Sequence, residues 1–239
     1  MMYFDPLYFL FLAPALLLAM WAQFRVKSAY HQTSQMPARA GVTGAQAAME
    51  VLRRAGVTGV GIERADGFLS DHYDPRHKVL RLSPDVYSGR SLAALGIAAH
   101  EAGHAIQDQS RYAPLVIRNA VVPLAGFGSN LAMILFMIGL ALSAAARGAG
   151  GSNLGPMLLW GGVLLYSTVV FFQIVNLPVE FNASGRARDI LLETGLITAD
   201  EAPAVRKVLS AAALTYVAAT LTAILTLIYL LTRAQQSQR

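Results

Sequence analysis

The chain has 239 residues, of which 55% are hydrophobic and only 14% are charged, and its mean hydropathy is +0.46. Soluble domains carry about 25% charged residues, so this composition excludes both an ordinary soluble globule and a disordered chain. The net charge of +5 does not indicate a nucleic-acid partner, because the basic residues are spread thinly and are not interleaved with aromatics. The absence of cysteine excludes disulfides and thiolate ligands, so any metal site must use His, Asp and Glu.

Four stretches are apolar and long enough to cross a bilayer, which requires about 20 residues. The first is typical of an anchor, since no basic stretch precedes it and Arg25 and Lys27 follow it at once. Pro178 predicts a chain break or a new helix start directly after the third. The predicted organisation is transmembrane helix 1 at 1–24, a polar domain at 25–119, transmembrane helix 2 at 120–146, transmembrane helix 3 at 154–177, a polar segment at 178–209, transmembrane helix 4 at 210–232 and a tail at 233–239.

The distribution of Lys and Arg predicts the orientation of the chain. Two crossings, joined by a short RGAGGSN turn, separate the two polar parts, which must therefore lie on the same side of the membrane. Basic residues accumulate in cytoplasmic loops, and here they flank the polar parts at Arg25, Lys27, Arg111, Arg118, Arg206 and Lys207. We therefore predict a multi-pass protein of the cell membrane with both polar parts in the cytoplasm and both termini outside. The opposite side has Arg147 and the tail arginines, Arg233 and Arg239, and the tail arginines argue mildly against this orientation.

The polar domain is predicted to contain a helix, a small sheet and a second helix. A plausible N-cap and helical spacing indicate a helix over 43–55, which ends at a glycine. A β-like run at 57–62 and a hairpin of 67–71 with 78–83, around a DPRH turn, follow it. A long helix without internal proline is predicted over 91–109. The fold class is therefore a mainly α membrane protein with about four transmembrane helices and a small α+β domain.

The second of these helices contains the sequence His100-Glu101-Ala102-Gly103-His104. Residues four apart lie on one face of a helix, so both imidazoles can bind one zinc ion, and Glu101 can act as general base on a metal-bound water. The alternative is a pair of exposed histidines on a surface helix. The flanking sequence is apolar and would bury them, however, and buried polar groups need partners. We therefore predict that His100 and His104 bind Zn²⁺ and that Glu101 is the catalytic residue.

A catalytic zinc site of this kind has three protein ligands and one open position. Glu180 is the first choice for the third ligand by its position, because it follows the third span at once. The alternative for Glu180 is a solvated carboxylate favoured by the dipole at a helix start. The candidates in the second polar part are Glu180, Asp189, Glu193, Asp200 and Glu201.

The chain resembles the YugP-like membrane neutral zinc metallopeptidases, zinc peptidase family 2. The resemblance covers nearly the whole chain and rests on FDPLY at 4–8, AQFRVKSAY at 22–30, DHYDPRHKVLRLSPDVYSGRSLAALGIAAHEAGHAIQD at 71–108 and LPVEFNASGRARDIL at 177–191. It implies a zincin-like cytoplasmic domain that carries the HExxH helix. It also implies a gluzincin-like site in which His100, His104 and Glu180 bind zinc and Glu101 is the base.

The architecture also resembles the membrane zinc peptidases related to CAAX-processing enzymes. In those the glutamate motif is E-x-x-x-D, and the Asp supports a zinc histidine. Ser184 stands at the matching position here. A ligating histidine normally passes its other N–H to a carboxylate or carbonyl, and Asp108 and Asp189 are possible substitutes. Either could equally be a surface charge.

The predicted function is that of an integral membrane zinc metalloendopeptidase, which hydrolyses peptide bonds by zinc-activated water with a glutamate general base. The expected partners are the lipid bilayer and a peptide or protein substrate, which arrives from the cytosol or the bilayer. The strand at 78–83 is a candidate edge for binding an extended peptide. Two alternatives are a zinc-stabilised membrane adaptor or chaperone without proteolysis, and hydrolysis of a non-peptide amide or ester. Candidates for a second oxyanion donor are Arg186, Arg188, Tyr73 and His72.

Overall fold

The computed structural model of the chain describes residues 6–146 and 153–237. Within these ranges seven helices and three strands follow in chain order: α1 (Pro6–Ser34), α2 (Gly44–Arg54), β1 (Gly61–Arg64), β2 (His72–Asp74), β3 (Val79–Leu82), α3 (Pro84–Tyr87), α4 (Leu92–Gln109), α5 (Ala113–Ala146), α6 (Leu154–Glu193) and α7 (Ala202–Gln236). Three parts of the predictions lie outside the described residues: the start of the first span with the first two residues of FDPLY, the RGAGGSN turn up to residue 152, and the end of the tail with Arg239.

Four of these helices, α1, α5, α6 and α7, are long and apolar enough to cross a membrane, which confirms that the four predicted apolar stretches lie in long helices. By length and composition the candidate spans are Tyr8–Ser34, Ala113–Ala145, Leu154–Glu193 and Ala202–Gln236. Each helix extends beyond the apolar stretch that predicted it. Hydropathy marks only the apolar part of a helix, whereas backbone hydrogen bonding continues into polar sequence.

The predicted chain break at Pro178 is wrong, because Pro178 lies inside α6. An internal proline removes one backbone hydrogen bond and crowds the preceding turn. The residues that follow nevertheless hold the helix together, since Val179, Ala183, Ala187 and Leu191 recur every four residues and are completely buried. The apolar stretch and the polar segment with Glu180 therefore belong to one continuous helix.

The described residues form two compact units. We call them the apolar unit, which comprises residues 6–20, 117–146, 153–176 and 216–237, and the polar unit, which comprises residues 21–116 and 177–215. In the apolar unit Phe136, Leu159 and Leu230 are almost fully buried. A Cβ at Gly162 would lie 2.8 Å from the carbonyl oxygen of Ala132, so this glycine serves close helix packing, as expected for small residues in spans.

The core of the polar unit includes the packing of α2 against α4. The Thr43 hydroxyl accepts a hydrogen bond from the Gln46 backbone N–H at 3.2 Å, and the Gln46 side chain accepts one from the Thr43 N–H at 2.9 Å. This capping box fixes the start of α2. The buried face of α2, which packs on α4, consists of Gly44, Ala47, Ala48, Val51 and Leu52.

The three strands form one sheet in the order β1-β3-β2. β3 pairs in parallel with β1 and antiparallel with β2. The prediction that the strand at 78–83 presents an open edge is therefore wrong, since β3 is central and the open edges of the described sheet belong to β1 and β2. The other two predicted strands begin later than expected. Gly59 (φ 74°) and Gly67 (φ 108°) interrupt the extended backbone before β1 and β2.

Asp108, near the end of α4, fastens the β2–β3 hairpin to that helix. Its Oδ2 accepts a hydrogen bond from the Tyr73 hydroxyl at 2.8 Å and a second one from the Lys78 ammonium. Burial, together with the hydrogen bond to Asp108 and its charge, raises the pKa of Tyr73, so this phenol stays protonated. Asp108 therefore acts in hairpin docking.

We expect Asp108→Ala to loosen the hairpin, because it removes the acceptor of both Tyr73 and Lys78. The expected loss is about 1–2 kcal/mol of local stability. Hydrogen exchange of the β2 and β3 amides in detergent should become faster, with little change in α2. Asp200→Ala is the control, since Asp200 makes an exposed ion pair with Arg39 at 3.1 Å. Equal exchange of the hairpin in both variants would contradict the docking role.

Candidate metal centre

The HExxH sequence lies in the middle of α4, a helix that is buried along most of its length. α4 begins after Ser91, whose hydroxyl accepts a hydrogen bond from the Ala94 N–H at 3.2 Å. One turn separates His100 from His104, and their ring centroids lie 4.7 Å apart with the planes nearly perpendicular. His104 and Glu101 are buried and His100 is partly exposed. The predicted helix and its histidine pair are therefore present as expected.

Glu180 of α6 faces both histidines. Its Oε2 lies 3.3 Å from His100 Nε2 and 3.6 Å from His104 Nε2. One possible ligand atom from each of the three residues lies within 4.8 Å of the others, and the Glu180 side chain is 5% exposed. The structure thus brings together the three residues that the sequence predicts as ligands.

The other acidic candidates for the third ligand contact residues elsewhere. Asp189 pairs with Arg188 at 2.9 Å and Glu193 with Arg54 at 3.5 Å. Glu201 accepts hydrogen bonds from the backbone N–H groups of Arg39 and Thr198, and Asp200 pairs with Arg39. Among the described residues, the cluster of His100, His104 and Glu180 is the one group of three that could hold a metal ion.

Gly103 allows the two helices that carry these side chains to approach closely. A Cβ at this position would lie 2.7 Å from the Ala183 carbonyl oxygen, closer than real Cβ contacts. Gly103 lies between the two histidines in α4, and Ala183 lies between Glu180 and Ser184 in α6. The crossing point of α4 and α6 is therefore at the centre of the candidate site.

Ser184, which stands where the CAAX-related enzymes have Asp, contacts a histidine directly. Its hydroxyl lies 3.1 Å from His100 Nδ1. The proposed substitutes for a supporting carboxylate are both wrong, because Asp108 bonds to Tyr73 and Lys78 and Asp189 pairs with Arg188. The position that holds Asp in the CAAX-related enzymes thus supports the histidine here through a neutral hydroxyl.

Gln107 supports the other histidine, and the sequence reasoning missed it. Its Oε1 lies 3.1 Å from His104 Nδ1, and its Nε2 donates to the Val179 carbonyl at 2.8 Å and to Asn182 Oδ1 at 3.0 Å. Gln107 is completely buried. A polar amide one turn after His104, within an otherwise apolar helix, was the available signal, since a buried amide must find partners.

Two carboxylates influence the electrostatics of the site. Burial lowers the pKa of His104, but the hydrogen bond to Glu180 and the negative charges of Glu101 and Glu180 outweigh it, so the pKa is raised. Burial also raises the pKa of Asp71, against hydrogen bonds from Ser83, and the charge of Glu101 raises it further. The Glu101 carboxylate itself has no hydrogen-bond partner among the described residues, so it is available to a ligand.

The four candidate oxyanion donors are all engaged in other contacts. Arg186 Nε donates to Asn182 Oδ1 at 2.8 Å, and its guanidinium lies 5.9 Å from the Tyr112 ring centroid. Arg188 pairs with Asp189, Tyr73 donates to Asp108, and the exposed His72 contacts the Ser70 carbonyl. Each of these four residues thus has a partner outside the His–Glu cluster.

We expect Gly103→Ala to separate α4 from α6, because the new methyl group would meet the Ala183 backbone. The expected cost is about 1–3 kcal/mol of unfolding free energy, together with weaker metal binding. Gly185→Ala is the matched control, since a Cβ there has nothing within 4 Å and the substitution should be neutral or stabilise α6 by up to about 1 kcal/mol. Thermal unfolding and zinc content of the purified protein check both. If the two variants have the same thermal stability and zinc content, the close approach of α4 and α6 at Gly103 is not needed for the site.

Comparison with known proteins connects this geometry to a family. A family model described as "Putative neutral zinc metallopeptidase" matches residues 8–235. A Bacillus subtilis (strain 168) protein named "Putative membrane protease YugP" is 46% identical over 222 residues, which cover 92% of this chain and 93% of that protein. No solved structure matches the chain. The matched region includes the HExxH helix and Glu180, and the chain belongs to this family of neutral zinc metallopeptidases.

Proposed function

We propose that the protein is an integral membrane zinc metalloendopeptidase whose metal ligands are His100, His104 and Glu180. The observation that carries the proposal is the convergence of one nitrogen from each imidazole and one carboxylate oxygen within 4.8 Å, beside the buried Glu101. Family membership, four helices able to cross a membrane and a relative named a membrane protease all support it.

The donor set fits zinc. Two histidines and one glutamate form a ligand set that leaves a position open for water or substrate. Each histidine has its Nδ1 against a partner, Ser184 or Gln107, while its Nε2 faces Glu180. Such partners orient the rings of zinc-binding histidines. When bound, zinc supplies a Lewis acid that polarises the scissile carbonyl and lowers the pKa of water.

Glu101 is the group that moves protons. It follows His100 directly in α4, and its carboxylate has no competing hydrogen-bond partner among the described residues. In the proposed hydrolysis Glu101 takes a proton from the attacking water and returns it to the nitrogen of the leaving amine. The carbonyl carbon gains the hydroxyl, and the C–N bond breaks.

β2 is the proposed edge for binding an extended substrate, in place of the central β3. It is an open edge of the described sheet, it contacts α4, and Asp108 ties it to that helix through Tyr73. A peptide added beside a strand gains main-chain hydrogen bonds, with side-chain pockets providing specificity. The distribution of Lys and Arg supports a cytoplasmic location of the polar unit in the cell membrane.

A non-enzymatic role is the second candidate, as a zinc-stabilised membrane adaptor or chaperone. The observation that favours it is the neutral support of both histidines by Ser184 and Gln107, where a carboxylate would raise ligand basicity. In that case zinc removal would unfold the polar unit, and substitution of Glu101 would leave cellular function intact. A panel that includes non-peptide amides and esters tests the remaining alternative.

We expect Glu101→Gln to retain zinc and to lose peptide cleavage by at least about 100-fold, because it removes only the proton acceptor. Zinc content and cleavage of a fluorogenic peptide panel check this. Glu193→Gln is the control, since Glu193 is a half-exposed partner of Arg54 and its loss should leave cleavage unchanged. A Glu101→Gln enzyme that cleaves as fast as the wild type would show that Glu101 is not the base.

We expect Glu180→Ala to lose tight zinc binding, because it removes one of three ligands from a buried site. Metal analysis of the purified variant after dialysis against a weak chelator measures the loss. Asp189→Ala, a change at an exposed carboxylate on the same helix, should keep full zinc. Tight zinc in Glu180→Ala would mean that the third ligand is a different residue.

A further inference from the structure

Gln107 makes three contacts that together determine which way its amide faces. The Nε2 atom lies 2.8 Å from the Val179 carbonyl oxygen, and a carbonyl can only accept a hydrogen bond. The NH₂ group must therefore face Val179, which places Oε1 against His104 Nδ1 at 3.1 Å. The direction of the amide thus follows from the backbone of α6.

Asn182 and Arg186 give a second, independent check of this direction. Asn182 Oδ1 lies 3.0 Å from Gln107 Nε2 and 2.8 Å from Arg186 Nε. A guanidinium has only donors, so Asn182 presents its oxygen to Arg186 and hence also to Gln107. Both contacts require Gln107 to donate with its nitrogen and to accept with its oxygen.

The consequence for His104 is a single neutral tautomer. An amide oxygen only accepts, so the proton must reside on His104 Nδ1, and in the neutral ring the lone pair then lies on Nε2. That is the atom 3.6 Å from Glu180 Oε2. His100 differs, because the Ser184 hydroxyl can either donate to its Nδ1 or accept from it. Ser184 therefore does not select a tautomer.

We propose that Gln107 is a positioning residue that fixes His104 in its Nδ1–H tautomer and thereby holds Nε2 ready to bind the metal. Arg186 and Asn182 act through Gln107. This inference rests on the proposed metal site and is independent of peptide hydrolysis. It also gives Gln107 a second effect, since its donor to Val179 anchors the backbone next to Glu180.

Nitrogen NMR of ¹⁵N-histidine-labelled full-length protein tests the tautomer directly. The metal-free wild type in detergent, at a pH high enough to keep the imidazoles neutral, should show His104 protonated at Nδ1 and unprotonated at Nε2. Gln107→Met should lose this preference, with His104→Ala used to assign the signal. A wild-type His104 that carries its proton on Nε2 overturns the proposal, whether or not the variant folds.

Zinc affinity, measured by chelator competition, provides the second readout. Gln107→Met should weaken zinc binding about 10- to 100-fold, the usual effect of removing such a support. Gln109→Met is the matched control on the same helix, because Gln109 is exposed and donates to the Gly56 carbonyl instead. If Gln107→Met lowers the thermal stability but leaves the zinc affinity unchanged, Gln107 has only a packing role and the proposal is overturned. A wild type that binds no zinc would overturn the proposed function, while the tautomer measurement would still decide the inference about Gln107.

Discussion

The contact between Gly103 and Ala183 is the constraint on which the candidate site depends. Three possible ligand atoms within 4.8 Å must come from two helices, and side chains cannot lengthen to cover a wider gap. A Cβ at Gly103 would lie 2.7 Å from the Ala183 carbonyl, so the helix backbones are about as close as they can be. Glu180 reaches His100 and His104 only because one position in the motif has no side chain. The glycine of HEAGH thus contributes to the site through the space that it leaves free.

The two helices contribute different groups to the site. α4 supplies both histidines and the proposed base, whereas α6 supplies Glu180 and most of the groups that orient α4's side chains. The two histidines are supported differently. His104 is buried and held by an amide whose direction is fixed on two sides, while His100 is partly exposed and held by a hydroxyl that can rotate. The deeper histidine therefore has the partner with a fixed direction, and the shallower one has the partner that can rotate.

The sequence was informative where structure depends on local pattern. Charge depletion revealed four apolar helices, and i, i+4 spacing placed His100 and His104 on one face. Glu180 needed the family resemblance as well as its position. The missed features depend on tertiary register, which no local pattern encodes. Asp108 was considered as support for a histidine but docks the hairpin, and Gln107 was overlooked although it touches His104. The strand at 78–83 was likewise predicted to offer an open edge, but its parallel pairing with β1 makes it the central strand.

The groups of α6 that contact the site lie within residues 179–186 and include a backbone carbonyl, a carboxylate, an amide and a hydroxyl. An α-helix turns by about 100° for each residue. Inserting or deleting one residue inside this stretch would leave the helix and its hydropathy nearly unchanged. It would nevertheless rotate the groups on one side of the change away from α4. The number of residues between Val179 and Ser184 is therefore as much a part of the site as their chemistry, and a change in length there is a more severe lesion than most substitutions.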